Sequence, residues 1–159
     1  MKEIKLTQNQ IALVDDNLFN YLSQFKWRCD SHGYAIHSFR EGKKVKSIFM
    51  ARLIMGEPAD RMIDHADRNP LNNQKYNLRI ATRGQNRSNS VPSIKTSSYK
   101  GVCKIKFNKS NPYMATIKHN KVSHHLGYFK NEQEAALAYN QKASELFGEF
   151  ANLNNVGAL

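Results

Sequence analysis

The sequence has 159 residues, of which 40% are hydrophobic, and a formal net charge of +11 at pH 7. A chain of this length buries one modest core or two small ones, and it contains no apolar run long enough to cross a bilayer. The excess of lysine and arginine indicates a polyanionic partner, because cations that neutralise phosphates release counterions on binding, although charge alone does not separate nucleic acid from a membrane surface.

The two cysteines, Cys29 and Cys103, are far apart in the sequence. This spacing argues against both a disulfide framework and a structural zinc site. The segment 1–5 has no apolar signal region, so no export is predicted and we expect a protein of the reducing cytoplasm.

Residues 1–48 alternate apolar and polar residues in short runs. The pattern predicts strands at 4–7, 11–14, 33–39 and 45–49. Asp15, Asp16 or Asn17 is expected to cap a short helix that runs to Phe25. This part of the chain is therefore predicted to be a small, β-rich layer.

The stretch 62–86 carries the residues with the clearest chemistry. Apolar Met62 and Ile63 lead directly into Asp64 and His65, and the Asn-Pro at 69–70 then breaks the chain, so the pair is predicted to lie where a short strand ends. Residues 77–83 predict a short helix that ends near Gly84. Taken alone, an Asp-His pair is more often a capped turn than a site.

Asp64 and Asn86 are candidate ligands for one divalent cation. Both offer hard oxygen donors, which suit Mg²⁺ or Mn²⁺ better than Zn²⁺. His65 titrates near neutrality, so it is a candidate to take a proton from water while a metal steadies the charge that develops on a phosphate.

The runs DHADRNPLNN at 64–73, NLRIAT at 77–82 and QN at 85–86 resemble the HNH endonuclease motif of phage and intron homing endonucleases. The resemblance implies that Asp64 is the metal-binding acid and His65 the general base. It also implies that Asn77 is the asparagine that ties the loop and Asn86 the second metal ligand.

The run FMARLIMG at 49–56 resembles the helix that enters this motif. Many relatives have a histidine before the arginine, where this chain has Ala51, so this position cannot bind metal here. The set of Asp64, His65 and Asn86 is nevertheless complete.

Residues 87–98 are rich in Ser and Asn and contain one Pro, after which the hydrophobic pattern starts again. This composition indicates a linker, although a surface loop would have the same composition. We therefore expect a nuclease domain at 1–88, with a lead-in at 1–48 and a core at 49–88, then a linker at 89–97 and a second domain at 98–155.

The second domain is predicted to be a three-stranded sheet packed on one helix. Strand patterns cover 99–107, 113–118 and 121–129, and Asn131 with Glu134 forms a capping-box pattern before a helix that ends at Gly148. The predicted apolar stripe of this helix consists of Ala135, Ala138, Tyr139, the Lys142 stem, Ala143 and Leu146. The free face of the sheet is expected to carry Thr116, Lys118, Ser123 and His125, and no aromatic residue.

The runs YKGV at 99–102, YMATI at 113–117, HLGYF at 125–129, EAALAY at 134–139 and FGEFANLN at 147–154 resemble the AP2 DNA-binding domain. In that family the sheet lies in the major groove. Cys103 and Ile105 replace arginines of the plant pattern, so the first strand is expected to rely on lysines. The expected DNA-contacting positions are Lys100, Lys104, Lys106, Thr116, Lys118, Ser123 and His125.

The fold class expected from these patterns is α+β, with an HNH ββα-metal unit followed by an AP2-like unit. The function expected is a Mg²⁺-dependent homing endonuclease, with Mn²⁺ as the alternative ion, acting on double-stranded DNA as a monomer or homodimer in a bacterial host and encoded by a phage. Arg79 and Arg83 are expected near the DNA backbone. No membrane, small-molecule substrate or structural zinc is expected. A non-catalytic DNA-binding regulator and an RNA-binding accessory protein are the alternatives, the latter requiring exposed aromatic residues on the sheet.

Overall fold

The computed structural model describes residues 1–90 and 96–157. The chain forms two compact units, Met1–Arg83 and Gly84–Leu159. The division therefore falls earlier in the sequence than the predicted end of the nuclease domain at residue 88. Most of the predicted linker, residues 91–95, lies outside the described residues, and the predicted domain boundaries stay a prediction.

The first unit contains three small antiparallel sheets, formed by β1 with β2, by β3, β4 and β5 in that order, and by β6 with β7. Two short helices connect them. The elements in chain order are β1 (Lys2–Lys5), β2 (Ile11–Val14), α1 (Asp16–Leu22), β3 (Trp27–Cys29), β4 (Ala35–Glu41), β5 (Lys44–Phe49), α2 (Met50–Ile54), β6 (Met62–His65), a 3₁₀ turn (Lys75–Asn77) and β7 (Leu78–Ala81).

One hydrophobic core holds this unit together, and Trp27 lies at its centre with 1% of its surface exposed. The indole Nε1 donates a hydrogen bond of 2.8 Å to the backbone oxygen of Leu22, so the buried polar atom has a partner. Val14 and Met50 complete the packing from β2 and α2. The β-rich segment before the motif is thus an integral part of the first unit's core.

The prediction of a helix over 77–83 is wrong. Leu78–Ala81 is the strand β7, which pairs antiparallel with β6 so that His65 lies opposite Leu78 and Met62 opposite Ala81. The four residues follow the 3₁₀ turn, in which Asn77 is buried. Pairing with β6 satisfies their backbone groups, where a single helical turn would leave most of them without partners. The helix of this region, α3 (Arg83–Asn89), begins where β7 has ended, with Gly84 in its first turn.

The second unit contains the remainder of α3, a three-stranded antiparallel sheet and a long helix. The elements after α3 are β8 (Val102–Lys104), β9 (Tyr113–His119), β10 (Val122–Phe129), α4 (Glu132–Phe147) and a 3₁₀ turn (Gly148–Phe150). The end of α3 is tied to the C-terminal segment, because Ser88 Oγ donates to the oxygen of Phe150 at 2.9 Å and Asn152 Nδ2 donates to the oxygen of Ser90 at 3.0 Å.

The helix α4 packs on the sheet, whose strand order is β10-β9-β8. Asn131 caps the helix by accepting a 2.8 Å hydrogen bond from the backbone N–H of Glu134, as the capping-box pattern predicts. Ala135, Tyr139 and Ala143 of the predicted stripe are buried, and Ala136 is buried with them. The mixture of helices and small antiparallel sheets that the sequence predicts is confirmed.

The first strand of this sheet is much shorter than the predicted 99–107. Gly101 has a φ of +76°, so the chain turns there, and β8 covers only Val102–Lys104. A further hydrogen bond of 2.8 Å from the Ile105 N–H to the Pro112 oxygen closes the loop that follows.

Among the described residues, no helix is both long enough and apolar enough to cross a membrane.

Gly101 provides a test of packing in the second unit. A Cβ atom at this position would lie 2.0 Å from Cδ2 of Tyr139 and 2.7 Å from the Thr116 oxygen. We expect Gly101→Ala to lower the free energy of unfolding by roughly 2–5 kcal/mol, since left-handed strain and overpacking add. Urea unfolding followed by circular dichroism at the helix band, to which α4 contributes, measures this change.

The matched control for this experiment is Gly148→Ala, where φ is +52° but no atom lies within 4 Å of the added Cβ. This variant should cost about 1–3 kcal/mol, the backbone strain alone. Equal losses in the two variants would show that the Tyr139 contact is not what requires glycine at 101.

Candidate active site

The β6–β7 hairpin places Asp64 and His65 side by side at the end of a strand, as the motif predicts. Cross-strand pairing puts Asp64 opposite Arg79 and His65 opposite Leu78. Both residues are buried: 4% of the surface of Asp64 and 6% of the surface of His65 is exposed. Buried polar residues of this kind need specific partners, so the surroundings of each determine its charge.

The Asp64 carboxylate is paired with the guanidinium of Arg79. Both Nε and Nη2 of Arg79 lie 2.7 Å from Oδ2 of Asp64, and the two side chains are 18% and 5% exposed. Two N–H groups therefore contact one carboxylate oxygen in a charge-assisted pair that is shielded from water. The predicted DNA-contacting role of Arg79 stays a prediction, and in this structure the residue neutralises the buried acid.

His65 is held as a neutral imidazole. Burial lowers its pKa below the ordinary value, and this outweighs the opposing influences of the Asn73 hydrogen bond and of the Asp67 and Asp64 charges. Its Nε2 lies 3.4 Å from Oδ1 of Asn73, and its ring centroid is 5.7 Å from that of Tyr34. A neutral, positioned imidazole at neutral pH is able to accept a proton.

The loop between β6 and β7 is closed by Asn77. Its Oδ1 accepts from the N–H of Asp67 at 2.9 Å, while its Nδ2 donates to Oδ1 of Asp67 at 2.9 Å and to the oxygen of Asn72 at 2.8 Å. The Ala66 N–H adds a 2.9 Å bond to the Asn77 backbone oxygen. Asn77 is 2% exposed, and its contact with the Asn72 oxygen is buried, whereas its contacts with Asp67 are partly buried.

Asp67 is the acidic member of this network, and sequence reasoning assigned it no role. Burial raises its pKa, but hydrogen bonds from Asn72, the Asn69 N–H and Asn77 together hold the pKa below its ordinary value. The positive charge that His65 gains in acid adds to this lowering. The Asn72 amide lies 2.7 Å from Oδ2 of Asp67. Asp67, Asn69, Asn72 and Asn77 all belong to the motif. Their contacts with one another depend on how the loop folds, so the sequence does not reveal them.

The segment before the motif also forms hydrogen bonds with the loop between β6 and β7. The Leu13 N–H donates to the Leu71 oxygen and the Asn73 N–H donates to the Leu13 oxygen, both at 2.8 Å. Asp15 was predicted as a cap for α1, but it makes no side-chain bond to that helix, and its Oδ2 instead accepts from the Lys75 N–H at 2.8 Å. The residue that touches His65, Asn73, is therefore fixed in place by β2.

The remaining predicted residues of the site lie at the end of this region. Asn86 is half-buried in α3, within the second unit, and Arg83 is exposed at the start of that helix. Ala51 lies in α2 and is buried. The pairing of Asp64 with Asn86 as metal ligands stays a prediction.

A metal at Asp64 would rest on few protein donors. The part of the chain that the structure describes contains no group of three or more His, Cys, Asp or Glu residues placed to hold an ion. Mg²⁺ is commonly held by one or two protein oxygens with water and substrate phosphate completing its shell, and the Asp64 carboxylate is a donor of that type. The donor chemistry therefore fits a hard divalent cation.

The sheet of the second unit presents the predicted polar row on one face. Pairing places Ser123 opposite Lys118 and His125 opposite Thr116, whereas Ala115 and Ile117, at alternate positions of β9, are buried. Lys118, Ser123 and His125 are exposed and Thr116 is half-buried. These four residues share a face, as the alternation of the strand predicts.

The predicted lysines around β8 differ in their surroundings. The Lys100 ammonium donates to the backbone oxygens of Ser88 and Ser90, so it fastens the chain beside α3. Lys104 is exposed, and in the sheet it lies opposite Tyr113 of β9, which packs on the α4 side. Lys106 lies beyond the end of β8 and is exposed.

The prediction that the free face lacks aromatic residues is wrong. Tyr128 is 41% exposed and Phe107 is 76% exposed, with their ring centroids 6.0 Å apart in an edge-on arrangement. His125 lies against the same tyrosine at 4.6 Å. The bulge between His125 and Gly127 interrupts the alternation of β10, so Tyr128 returns to the face of His125.

The first unit therefore combines an imidazole with a lowered pKa and a buried carboxylate, the two kinds of group that metal-assisted hydrolases use. The chain is 39% identical over 147 residues to an uncharacterized HNH endonuclease of Acanthamoeba polyphaga mimivirus, a match that covers 91% of this chain and 75% of that protein. The chain belongs to the HNH endonuclease family. No protein-family model and no solved structure matches it.

Asn77→Ala should lower the free energy of unfolding of the first unit by about 2–4 kcal/mol, because it removes three side-chain hydrogen bonds and leaves buried groups unsatisfied. Unfolding is followed by the fluorescence of Trp27, which is the single tryptophan and lies in this unit's core. The control Asn17→Ala, on an exposed turn of α1, should change stability by less than about 0.5 kcal/mol. A loss no larger than that of the control would show that the Asn77 network does not hold the loop.

The Asp64–Arg79 pair is tested by a double-mutant cycle. Arg79→Met should cost about 3–5 kcal/mol, since it leaves a buried carboxylate without its counter-charge. Adding Asp64→Asn should recover a large part of that loss, and the difference between the single and double variants gives the coupling. Additive losses, measured by the same Trp27 fluorescence, would mean that the two side chains do not stabilise each other.

Proposed function

We propose that the chain is a metal-dependent endonuclease of the homing type that hydrolyses phosphodiester bonds in double-stranded DNA. The observation that carries this proposal is the buried His65, whose pKa is lowered by burial, next to the buried carboxylate of Asp64 in β6. Membership of the HNH endonuclease family and the net charge of +11 support it. The homing type is proposed from the resemblance of the 64–86 motif.

In the proposed reaction His65 is the general base. A water molecule gives a proton to the imidazole and attacks the phosphorus. The bond from phosphorus to the leaving oxygen of the sugar breaks, and that oxygen takes up a proton from solvent. Asn73, within 3.4 Å of Nε2, keeps the ring oriented, and the fixed loop keeps Asn73 in place. Because the imidazole is already neutral, no proton has to leave it before the reaction.

Asp64 would hold the divalent cation, and Asn86 is the second ligand proposed from the sequence. Mg²⁺ is the ion that suits these oxygen donors best, with Mn²⁺ as the alternative. When bound, the cation would neutralise negative charge on the phosphate as the new bond forms. Arg79, which now meets Asp64, would then share that carboxylate with the ion.

The second unit is proposed to bind duplex DNA in the manner of AP2 domains. Lys118 is exposed on the free face and Ser123 and His125 lie beside it, which suits contacts with phosphates and base edges. Lys104 and Lys106 are proposed to contact phosphates at the edge of this surface. The chain is proposed to act as a monomer or a homodimer. A phage origin and a location in the bacterial cytoplasm are proposed from the resemblance of the motif.

A second candidate function for the second unit is binding of single-stranded nucleic acid. The exposed rings of Phe107 and Tyr128 favour it, because unpaired bases stack on aromatic side chains. Competition of single-stranded RNA against duplex DNA for the intact chain separates the candidates. Preference for the single strand that is lost in Phe107→Ala would favour the second. A non-catalytic DNA-binding regulator would bind DNA without cutting it, so a cleavage assay distinguishes that alternative from a nuclease.

His65→Ala should reduce cleavage of duplex DNA in Mg²⁺ by ~10²–10⁴-fold while leaving DNA affinity nearly unchanged, because only the proton acceptor is lost. Gel assays of a mixed genomic substrate measure the rate, and anisotropy measures affinity. The control is His32→Ala, a histidine whose side chain is 80% exposed and which should cut at the parental rate. A chelator should abolish cleavage by the parent, and Mg²⁺ should restore it.

The assignment of His65 fails if the His65→Ala variant cuts at the parental rate with its circular dichroism unchanged. Cleavage that persists in excess chelator would instead remove the metal from the proposal and leave the base in place.

A further inference from the structure

The hairpin formed by β4 and β5 extends beyond the sheet to which it belongs. β3 pairs only with Ala35, Ile36 and His37 of β4, so from residue 38 onward β4 has β5 as its single neighbour in the sheet. We call residues 38–47 the ribbon. All ten of its residues are exposed, although the strands present alternate faces.

The ribbon contributes nothing to the core of the first unit. Ala35 and Met50, on either side of it, belong to the core cluster, and no residue of 38–47 does. The pairing is nevertheless regular, with a 2.8 Å hydrogen bond between the hydroxyls of Ser38 and Ser47 and an ion pair between Lys46 and Glu41. Isolated two-stranded hairpins are marginally stable in water, so burial does not explain this extension.

The charge of the ribbon is strongly positive. It carries four basic residues and one acidic residue, and the acid is already paired with a lysine. The basic residues are Arg40, Lys43, Lys44 and Lys46. Two apolar side chains, Phe39 and Val45, are 42% and 67% exposed among them. A cationic surface of this kind complements a polyanion.

The dimensions of the ribbon match a groove of duplex DNA. Four residues from Ser38 to Glu41, at about 3.4 Å each, extend roughly 14 Å. The major groove is about 8.5 Å deep and about 12 Å wide, and a two-stranded β-ribbon is one of the two elements that it admits. The tip, where Gly42 takes a φ of +59°, is therefore able to reach the floor of the groove.

We propose that the ribbon 38–47 is a second DNA-binding element, separate from the sheet of the second unit, that enters the major groove and contacts the flanking phosphates through its lysines. This inference rests on the proposed action on duplex DNA. It places part of the affinity, and part of the choice of site, in the same unit as His65.

A simpler role for these lysines is protection of the exposed strand edges against pairing with other chains. The two roles lead to different results. Phosphate contacts contribute to the dependence of DNA affinity on salt, whereas edge protection affects only self-association. Both quantities can be measured on the same variants.

The test uses the intact chain with a duplex of about two helical turns, in chelator so that no strand is cut, by anisotropy at several salt concentrations. Lys43→Ala/Lys44→Ala should weaken binding roughly tenfold or more at low salt and flatten the plot of log Kd against log salt by about 2, or about 1 for each lost phosphate contact. The matched control, Lys2→Ala/Lys5→Ala, removes the same charge from exposed positions of β1. It should leave the slope nearly unchanged.

A shortened ribbon tests entry into the groove. Replacing residues 40–45 with Asn-Gly, a two-residue turn that joins such strands, keeps the base of the hairpin and removes its tip. Methyl green, which occupies the major groove, should weaken binding of the parent by a larger factor than binding of the shortened chain. Distamycin, which occupies the minor groove, should affect the two chains equally.

Each outcome decides a different point. A lysine double variant with the same slope as its control overturns the proposal, and increased light scattering by that variant would assign the lysines to edge protection. Equal sensitivity of parent and shortened chain to methyl green also overturns entry into the groove. A parent that cuts no DNA but shows these ribbon effects would refute the proposed nuclease function alone.

Discussion

The hydrogen bonds of Asn77 are the constraint on which the first unit's site depends. This buried amide uses both Nδ2 and Oδ1 to join the two ends of the loop between β6 and β7. A fully satisfied buried network selects one loop conformation, because any other would leave amide or carboxylate groups without partners. Asp64 and His65 come just before that loop, so its closure determines the surroundings of both side chains.

The segment before the motif has a direct part in this arrangement. Leu13 of β2 forms backbone hydrogen bonds with the loop, and the Asp15 carboxylate accepts a hydrogen bond from the Lys75 N–H. Asn73, between these contacts, is the residue that meets His65. The core around Trp27 therefore supports the imidazole through β2 and the loop, which explains why the site and the lead-in form one compact unit.

The basic side chains of the protein serve three different roles. Arg79 turns inward and neutralises the buried Asp64, and Lys100 is bound to backbone oxygens beside α3. Lys118 and the lysines of the ribbon are exposed on sheet and hairpin surfaces. Net charge counts all of these equally, but only exposed cations can release counterions from a polyanion. The structure separates cations available to a partner from those that maintain the fold.

The sequence by itself determined the features that depend on neighbouring residues. The Asp64-His65 pair at a strand end, the Asn131 cap of α4 and the alternation of β9 were all predictable, because capping and strand periodicity act over a few residues. The small antiparallel sheets with helices followed from the same patterns, although the identity of the metal ligands is still a prediction.

The tertiary structure decided the features that depend on distant partners. Leu78–Ala81 has the composition of a helical turn but forms a strand, because the open edge of β6 is available to it. The bulge in β10 brings Tyr128 onto a face expected to be polar, and Arg79 meets Asp64 only through the register of the hairpin. In each case backbone pairing across the fold outweighs a local preference worth less than about 1 kcal/mol per residue, which a short sequence window cannot detect.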